Sequence, residues 1–204
     1  MEIRLINSKG KHYYLVDGEV MTSITTYLNV VDKIALRYFY GKHGIQEANR
    51  IGKSAAKLGT RVHKRIQYHF EDKPYNVRGK EIIPMKAFYS WLDDNEVEAS
   101  FVEWMVASKV YGFAGTMDFV GMYNGKFTML DFKTSGAVYP EYELQVQAGR
   151  VGWEEDGCRC IEQLGVVRFD KLSGKYEVVL YEPSDDVFEV FVAATKLWRW
   201  KYGK

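Results

Sequence analysis

The order of its apolar periodicities predicts an α/β protein whose central mixed β-sheet is flanked by helices. Three observations carry this reading. Between residues 22 and 96 apolar residues recur mostly at helical spacing. From 99 to 132 they fall in strand-like runs. A helix, two further strands and a closing helix then follow. A chain of 204 residues suits one domain, with a helical part over about 22–96 and a sheet core over about 99–204.

Residues 12–16 read as extended, Asp17-Gly18-Glu19 as a turn, and Val20-Met21 as the return of a hairpin. Thr22-Ser23 caps a helix beginning at 24–28, and a second helix covers 32–40, ending near Gly41 and Gly44. The most informative helix spans 45–70. Ile51, Ala55, Leu58, Val62 and Ile66 form its apolar stripe, and Arg50, Lys53, Lys57, Arg61 and Lys64 run along the opposite side. His63 lies between the stripes, with Gly52, Ala56 and Gly59 on its own side, where small side chains admit a close neighbour. The glycines weaken an isolated helix by roughly 1 kcal/mol each.

Residues 71–80, with Pro74 and Gly79, form a loop, and 84–96 a helix with Phe88, Trp91 and Leu92 inward. Strands follow over 99–107, 115–122 and 127–132, the last two joined by the hairpin signal Asn124-Gly125. Residues 141–152 read as a helix, and 161–169 and 175–181 as strands. Ser184 opens a final helix, with Asp185 and Asp186 favoured by its dipole and Phe188, Phe191, Val192, Thr195 and Trp198 toward the core.

Composition bounds the partners. Hydrophobic residues make up 47% and charged residues 27%, as in a soluble globular protein. No apolar run of about 18 residues predicts a membrane span, and no apolar segment at the N-terminus predicts secretion. Cys158 and Cys160 are spaced poorly for a mutual disulfide, so both are expected reduced and structural, in an intracellular protein. A net charge of +1 gives no overall basic excess, so any nucleic-acid surface must be local.

Two carboxylates stand in apolar strands, where they are costly unless paired or metal-bound: Asp118, and Asp131 between Leu130 and Phe132. Asp131 and Lys133 are two apart on a strand and share a face. The hairpin at Asn124-Gly125 brings Asp118 toward Asp131. A hard cation relieves the repulsion of two facing carboxylates, and a neighbouring lysine can hold a water or a phosphate oxygen. Metal-assisted phosphodiester hydrolysis needs this set of groups.

Gly115-Thr116-Met117-Asp118, then Asp131-Phe132-Lys133-Thr134-Ser135, then Gln145, resemble the G-x-x-D, D-x-K-T-S and Q-x-x-x-Y motifs of RecB-type nucleases in the PD-(D/E)XK superfamily. Upstream, Gly59-Thr60-Arg61-Val62-His63 resembles that branch's G-T-x-x-H helix. The run Thr22-Ser23-Ile24-Thr25-Thr26-Tyr27-Leu28 resembles the P-S-V-T-T-x-L opening of phage exonucleases and of the mitochondrial genome maintenance exonuclease group. The likeness covers roughly residues 12–150. It implies a restriction-endonuclease-like core and a metal-dependent DNA exonuclease of phage or mobile-element origin, working in recombination, replication or repair. It implies that His63, Asp118, Asp131 and the Phe132 carbonyl bind Mg²⁺ or Mn²⁺. Lys133 would orient the attacking water, Gln145 would position Lys133 or the DNA, Glu103 would support the site, and Thr134 and Ser135 would bond a phosphate. Arg61 and Lys57 lie on the same helix as His63 and are candidates for phosphate contact.

The chain departs from these patterns in three places. Gly149 replaces the tyrosine of Q-x-x-x-Y, Thr22 replaces the opening proline, and the four cysteines of the iron–sulfur members are missing, so no cluster is expected. Several readings stay open. Gln147 is an alternative to Gln145, and the basic stripe reads first as a solvated helix face. The aromatic tail 198–202 reads as core and fray more readily than as a stacking platform. A same-fold endonuclease and a non-catalytic DNA-binding relative compete with the exonuclease.

Overall fold

A computed structural model describes residues 1–8 and 11–203. In chain order the elements are β1 (Ile3–Ser8), β2 (Lys11–Val16), β3 (Glu19–Ser23), α1 (Ile24–Tyr27), α2 (Ile34–Phe70), α3 (Ile82–Asp94), β4 (Val97–Ser108), β5 (Phe113–Tyr123), β6 (Lys126–Lys133), α4 (Glu141–Glu155), β7 (Gln163–Phe169), β8 (Tyr176–Tyr181) and α5 (Asp185–Tyr202). The α/β class with a central mixed sheet holds. Ser23 and Ser184 cap α1 and α5 by accepting from Thr26 N and Val187 N. No helix among the described residues is long and apolar enough to cross a membrane.

The structure departs from the sequence reading at β1, at the bounds of α3 and at the cysteines. β1 is not among the expected strands; it pairs antiparallel with β2 from Ile3↔Val16 to Ser8↔Lys11, and Ile3 packs against the core. The helix expected over 84–96 begins at Ile82 and ends at Asp94, because the backbone turns extended at Asn95 and enters β4. The two helices expected over 32–40 and 45–70 are both present: α2 is a helical run divided by a kink at Gly44, whose φ of 71° is open to glycine and poor for other residues. Trp198 packs half-buried against the core, as expected. Of the cysteines read as structural, Cys160 is exposed and Cys158 half-buried.

Among the described residues the strands form one sheet in the order β1-β2-β3-β5-β6-β7-β8, with β4 also paired to β5. β4 runs antiparallel along β5 from Tyr123 to Phe113. The other edge of β5 is shared. β3 pairs with it in parallel at Phe113 and Ala114, and β6 pairs antiparallel from Phe119 to Tyr123. Residues 115–118 therefore have no strand neighbour on that edge, and Asp118 stands at the mouth where β5 and β6 diverge.

Helices cover both faces, which is why β5 and β6 read as nearly unbroken apolar runs. α1, α4 and α5 bury Ile24, Val146, Trp153 and Phe191 against Met117, Val120, Met129 and Val166. On the opposite face α2 and α3 bury Val62, Ile66, Phe88 and Trp91 against Phe119, Leu130, Phe132 and Phe169. Met117 and Phe119 belong to opposite faces although two apart, so the alternation of β5 slips at Asp118.

Gly149 faces the first core. A Cβ there would lie 2.1 Å from Met117 Sδ and 3.1 Å from Met129 Sδ. The position holds glycine because α4 lies directly on the sheet, so a tyrosine has no room. Gly149→Ala is expected to destabilise the protein despite a helix-propensity gain of about 1 kcal/mol, since overpacking costs roughly 1–3 kcal/mol. Gly149→Tyr should cost more. Urea midpoints at unchanged slope test both, and an alanine variant more stable than the parent would contradict this packing.

Candidate metal centre

The mouth between β5 and β6 gathers residues from five elements. α2 carries His63, β4 Glu103, β5 Asp118, β6 Asp131 and Lys133, and α4 Gln145. α2 reaches the sheet here because Gly59 has no side chain: a Cβ would lie 3.3 Å from Thr134 Oγ1. The close neighbour expected on that face is thus Thr134. At Gly52, two turns earlier, a Cβ would meet nothing within 4 Å.

The residues form two linked groups. In the first, His63 Nδ1 lies 3.1 Å from Asp118 Oδ1 and 3.9 Å from Glu103 Oε1. One ligand atom from each of His63, Glu103 and Asp118 lies within 4.8 Å of the other two. Asp118 Oδ2 accepts the Phe132 backbone N–H at 2.7 Å, so its side chain bridges the gap where the β5–β6 ladder has stopped. In the second group Lys133 Nζ lies 2.7 Å from Asp131 Oδ2 and donates to Gln145 Oε1 at 3.1 Å, while Gln145 Nε2 donates to Asp131 Oδ1 at 2.7 Å. Asp131 and Lys133 share a face, as their spacing requires, and both meet α4 through Gln145. Gln147 points elsewhere: it donates to the Glu182 carbonyl and accepts from Ser184 N, clamping the start of α5.

Charge is crowded here. Burial, and then the Asp118 carboxylate, push Glu103 up to about 7, against the pull of His63. Burial raises Asp131 to about 6, with Lys133 opposing and Asp118 adding to the rise. Burial works to lower His63, yet the Asp118 charge and hydrogen bond carry it up to about 9. Burial also acts to raise Asp118, but His63 holds it below the usual carboxylate range. Without a cation this favours an imidazolium that balances the acidic cluster; as a metal ligand His63 would give up that proton. Asp131 Oδ2 is buried and makes no well-directed hydrogen bond despite its nearness to Lys133. One imidazole nitrogen, two converging carboxylates and a third buried carboxylate fit a hard or borderline divalent cation.

The backbone at Glu103 is strained. Its φ is +51°, and the β4–β5 pairing skips it between Val102↔Phe119 and Trp104↔Met117. Asparagine tolerates this conformation better than glutamate. Glu103→Asn is therefore expected to raise metal-free stability by about 1 kcal/mol while weakening divalent-cation binding. Thermal melts with EDTA and with Mn²⁺ would show the two effects in opposite directions. Loss of stability in EDTA would refute the strain.

Other candidates are placed differently. Arg61 is held by the buried carboxylate of Glu81 at 2.7 Å, which Arg65 also contacts, so Arg61 ties α2 to the start of α3. Lys57 is exposed. Arg50 pairs with Glu47, and Lys64 with Gln67 and the Tyr68 ring. Ser135 Oγ donates to the Ala137 carbonyl. His43 and His69 lie away from the cluster, in aromatic contacts with Phe39 and Tyr75, and the side chain of His12 lies outside the described residues. Two neighbours were not anticipated. The Tyr142 ring centroid is 4.7 Å from Lys133 Nζ. Tyr14, on the N-terminal hairpin, bonds Thr116 of β5 at 2.9 Å. Tyr142 was legible in principle, since it lies three residues before Gln145 on one helix face.

The fold and these side chains define an α/β protein with a candidate divalent-cation centre beside a half-buried lysine. No family model matches the chain, and no curated protein matches it. Among solved structures it is similar to an alkaline exonuclease, LHK-Exo from Laribacter hongkongensis, with 15% identity, 89% of this chain and 87% of that one covered, and a TM-score of 0.47. The same exonuclease in complex with dAMP matches with equal identity and coverage and a TM-score of 0.48. Likeness at this level assigns no chemistry to the present chain.

Proposed function

We propose that this protein is a divalent-metal-dependent nuclease of the PD-(D/E)XK type, and that it acts on DNA as an exonuclease of the RecB-type branch. The observation that carries the reading is the convergence of His63, Glu103 and Asp118 within 4.8 Å beside the Asp131–Lys133–Gln145 group. His63, Asp118 and Glu103 would hold Mg²⁺ or Mn²⁺, with Asp131 and the Phe132 carbonyl as the further ligands that the motif implies. A cation bound there supplies Lewis acidity to a phosphodiester. Lys133 orients the attacking water and stabilises charge that develops on the phosphoryl oxygens. Asp131 and Gln145 fix the lysine's position, and Thr134 stands at the end of β6 within reach of a phosphate. The motif order supports a role in phage or mobile-element DNA metabolism.

End-labelled linear DNA and covalently closed circles, incubated with Mg²⁺, with Mn²⁺ and with EDTA, test this reading. The expected result is a ladder from the ends of linear DNA, absent in EDTA, with intact circles. Cut circles would replace the exonuclease by an endonuclease on the same centre. Binding without cutting under every condition would leave a non-catalytic DNA-binding protein.

A further inference from the structure

A cleft of about 700 Å³ opens between α2 and the β6–α4 connection, next to Lys133. Its walls are Phe39, Ile51 and Ala55 from α2, Tyr139 and Tyr142 from the connection and the start of α4, and Lys171. Tyr139 and Tyr142 meet edge to face, their centroids 5.6 Å apart. Tyr142 belongs to the cleft and to the reactive centre together, since Lys133 Nζ sits over its ring. The carboxylates on the rim are neutralised: Asp32 by Arg37 at 2.9 Å and Glu141 by Lys33 at 3.7 Å. Lys171 has no carboxylate partner among the described residues. It also lines an adjoining groove of about 400 Å³ that continues past Ile51 and Ala55 to Lys80.

We propose that this cleft holds an unpaired nucleobase of the strand whose phosphate lies at Lys133, which makes single-stranded nucleic acid the substrate class. The proposal rests on the nuclease reading above. The volume falls in the range of small-ligand sites, roughly 300–1,000 Å³. Aromatic walls bind the face of a base, and a base offers its face only when it has left the stack. A duplex end offers only the outer face of a paired base, too wide as a base pair for a cleft that takes one base. Lys171 and Lys80 lie along the groove that leaves the cleft, where backbone phosphates of the same strand need cations.

Gly52 also lines the cleft, and its missing Cβ faces open space. Gly52→Leu therefore starts from an unobstructed Cβ and extends into the cleft, and removing a helical glycine should raise Tm by about 2–4 °C. The test measures anisotropy of labelled single strands in EDTA, with a single abasic site walked along the strand. For the parent protein, one abasic position is expected to weaken binding about tenfold. Gly52→Leu and Tyr139→Ala should each weaken the intact strand by a similar factor and lose their sensitivity to that position. Equal binding of every abasic strand by the parent, unchanged affinity in Gly52→Leu, or tighter binding of a duplex than of the single strand would overturn the proposal. Cleavage of the same strands in Mn²⁺ separates the two readings. Cutting without any abasic effect removes the cleft alone. Abasic-sensitive binding without cutting keeps the cleft and removes the nuclease. No binding of any strand removes both.

Discussion

Lys133→Ala is expected to reduce phosphodiester cleavage by about a hundred- to a thousandfold, the range for losing one preorganised group that meets developing charge. Lys133 is half-buried, ion-paired to Asp131, bonded to Gln145 and seated over Tyr142. It cannot swing away to solvent without leaving three partners, so its charge is already in place when substrate arrives. The substitution also leaves Asp131 without its cation, and breaking one side of a buried pair costs roughly 3–5 kcal/mol. Gln145 still donates to Asp131 in the variant and softens that loss. Activity must therefore be read beside a thermal melt. Lys133→Met, which keeps the aliphatic stem over Tyr142, separates the two effects. Single-turnover rates on labelled DNA decide the matter: a folded methionine variant that cuts at the parental rate would take Lys133 out of the reaction.

The second large effect is expected for Asp118→Asn, as a loss of Mn²⁺ affinity of more than about a hundredfold. Outer-sphere partners of metal ligands are worth 10–100-fold in affinity, and a direct anionic ligand exceeds them. The amide oxygen can still accept the Phe132 N–H, so the mouth between β5 and β6 should keep its shape. His63 loses the carboxylate that raises its pKa, so its imidazole ceases to be a strong countercharge. Calorimetric titration with Mn²⁺ measures the affinity, and the rise in Tm on adding Mn²⁺ checks it independently. Parental affinity in the variant would place the cation elsewhere.

Much of this site was legible because its parts are local in sequence. Asp131 and Lys133 had to share a face once β6 was recognised as a strand, and Asn124-Gly125 joined β5 to β6 as a hairpin. The stripe through Val62 and Ile66 fixed which side of α2 enters the core, and with it the direction of His63. Gly149 read as the loss of a motif residue. The structure shows it instead as the contact that lets α4 lie on Met117 and Met129.

By itself the sequence determined the α/β class, the period of nearly every element, and the residue types of the candidate centre, because periodicity and short-range spacing are written along the chain. Only the tertiary structure decided the partners. It set Glu103 rather than Asp131 in the tightest cluster with His63, through a strained φ and a slipped alternation that no propensity encodes. It sent Arg61 to Glu81 and brought Tyr142 under Lys133. It also opened a cleft at Gly52 while closing the same helix face onto Thr134 at Gly59. These outcomes depend on how strands that are distant in sequence diverge and how closely helices approach them. That is a matter of three-dimensional packing, and chain-local patterns carry no record of it.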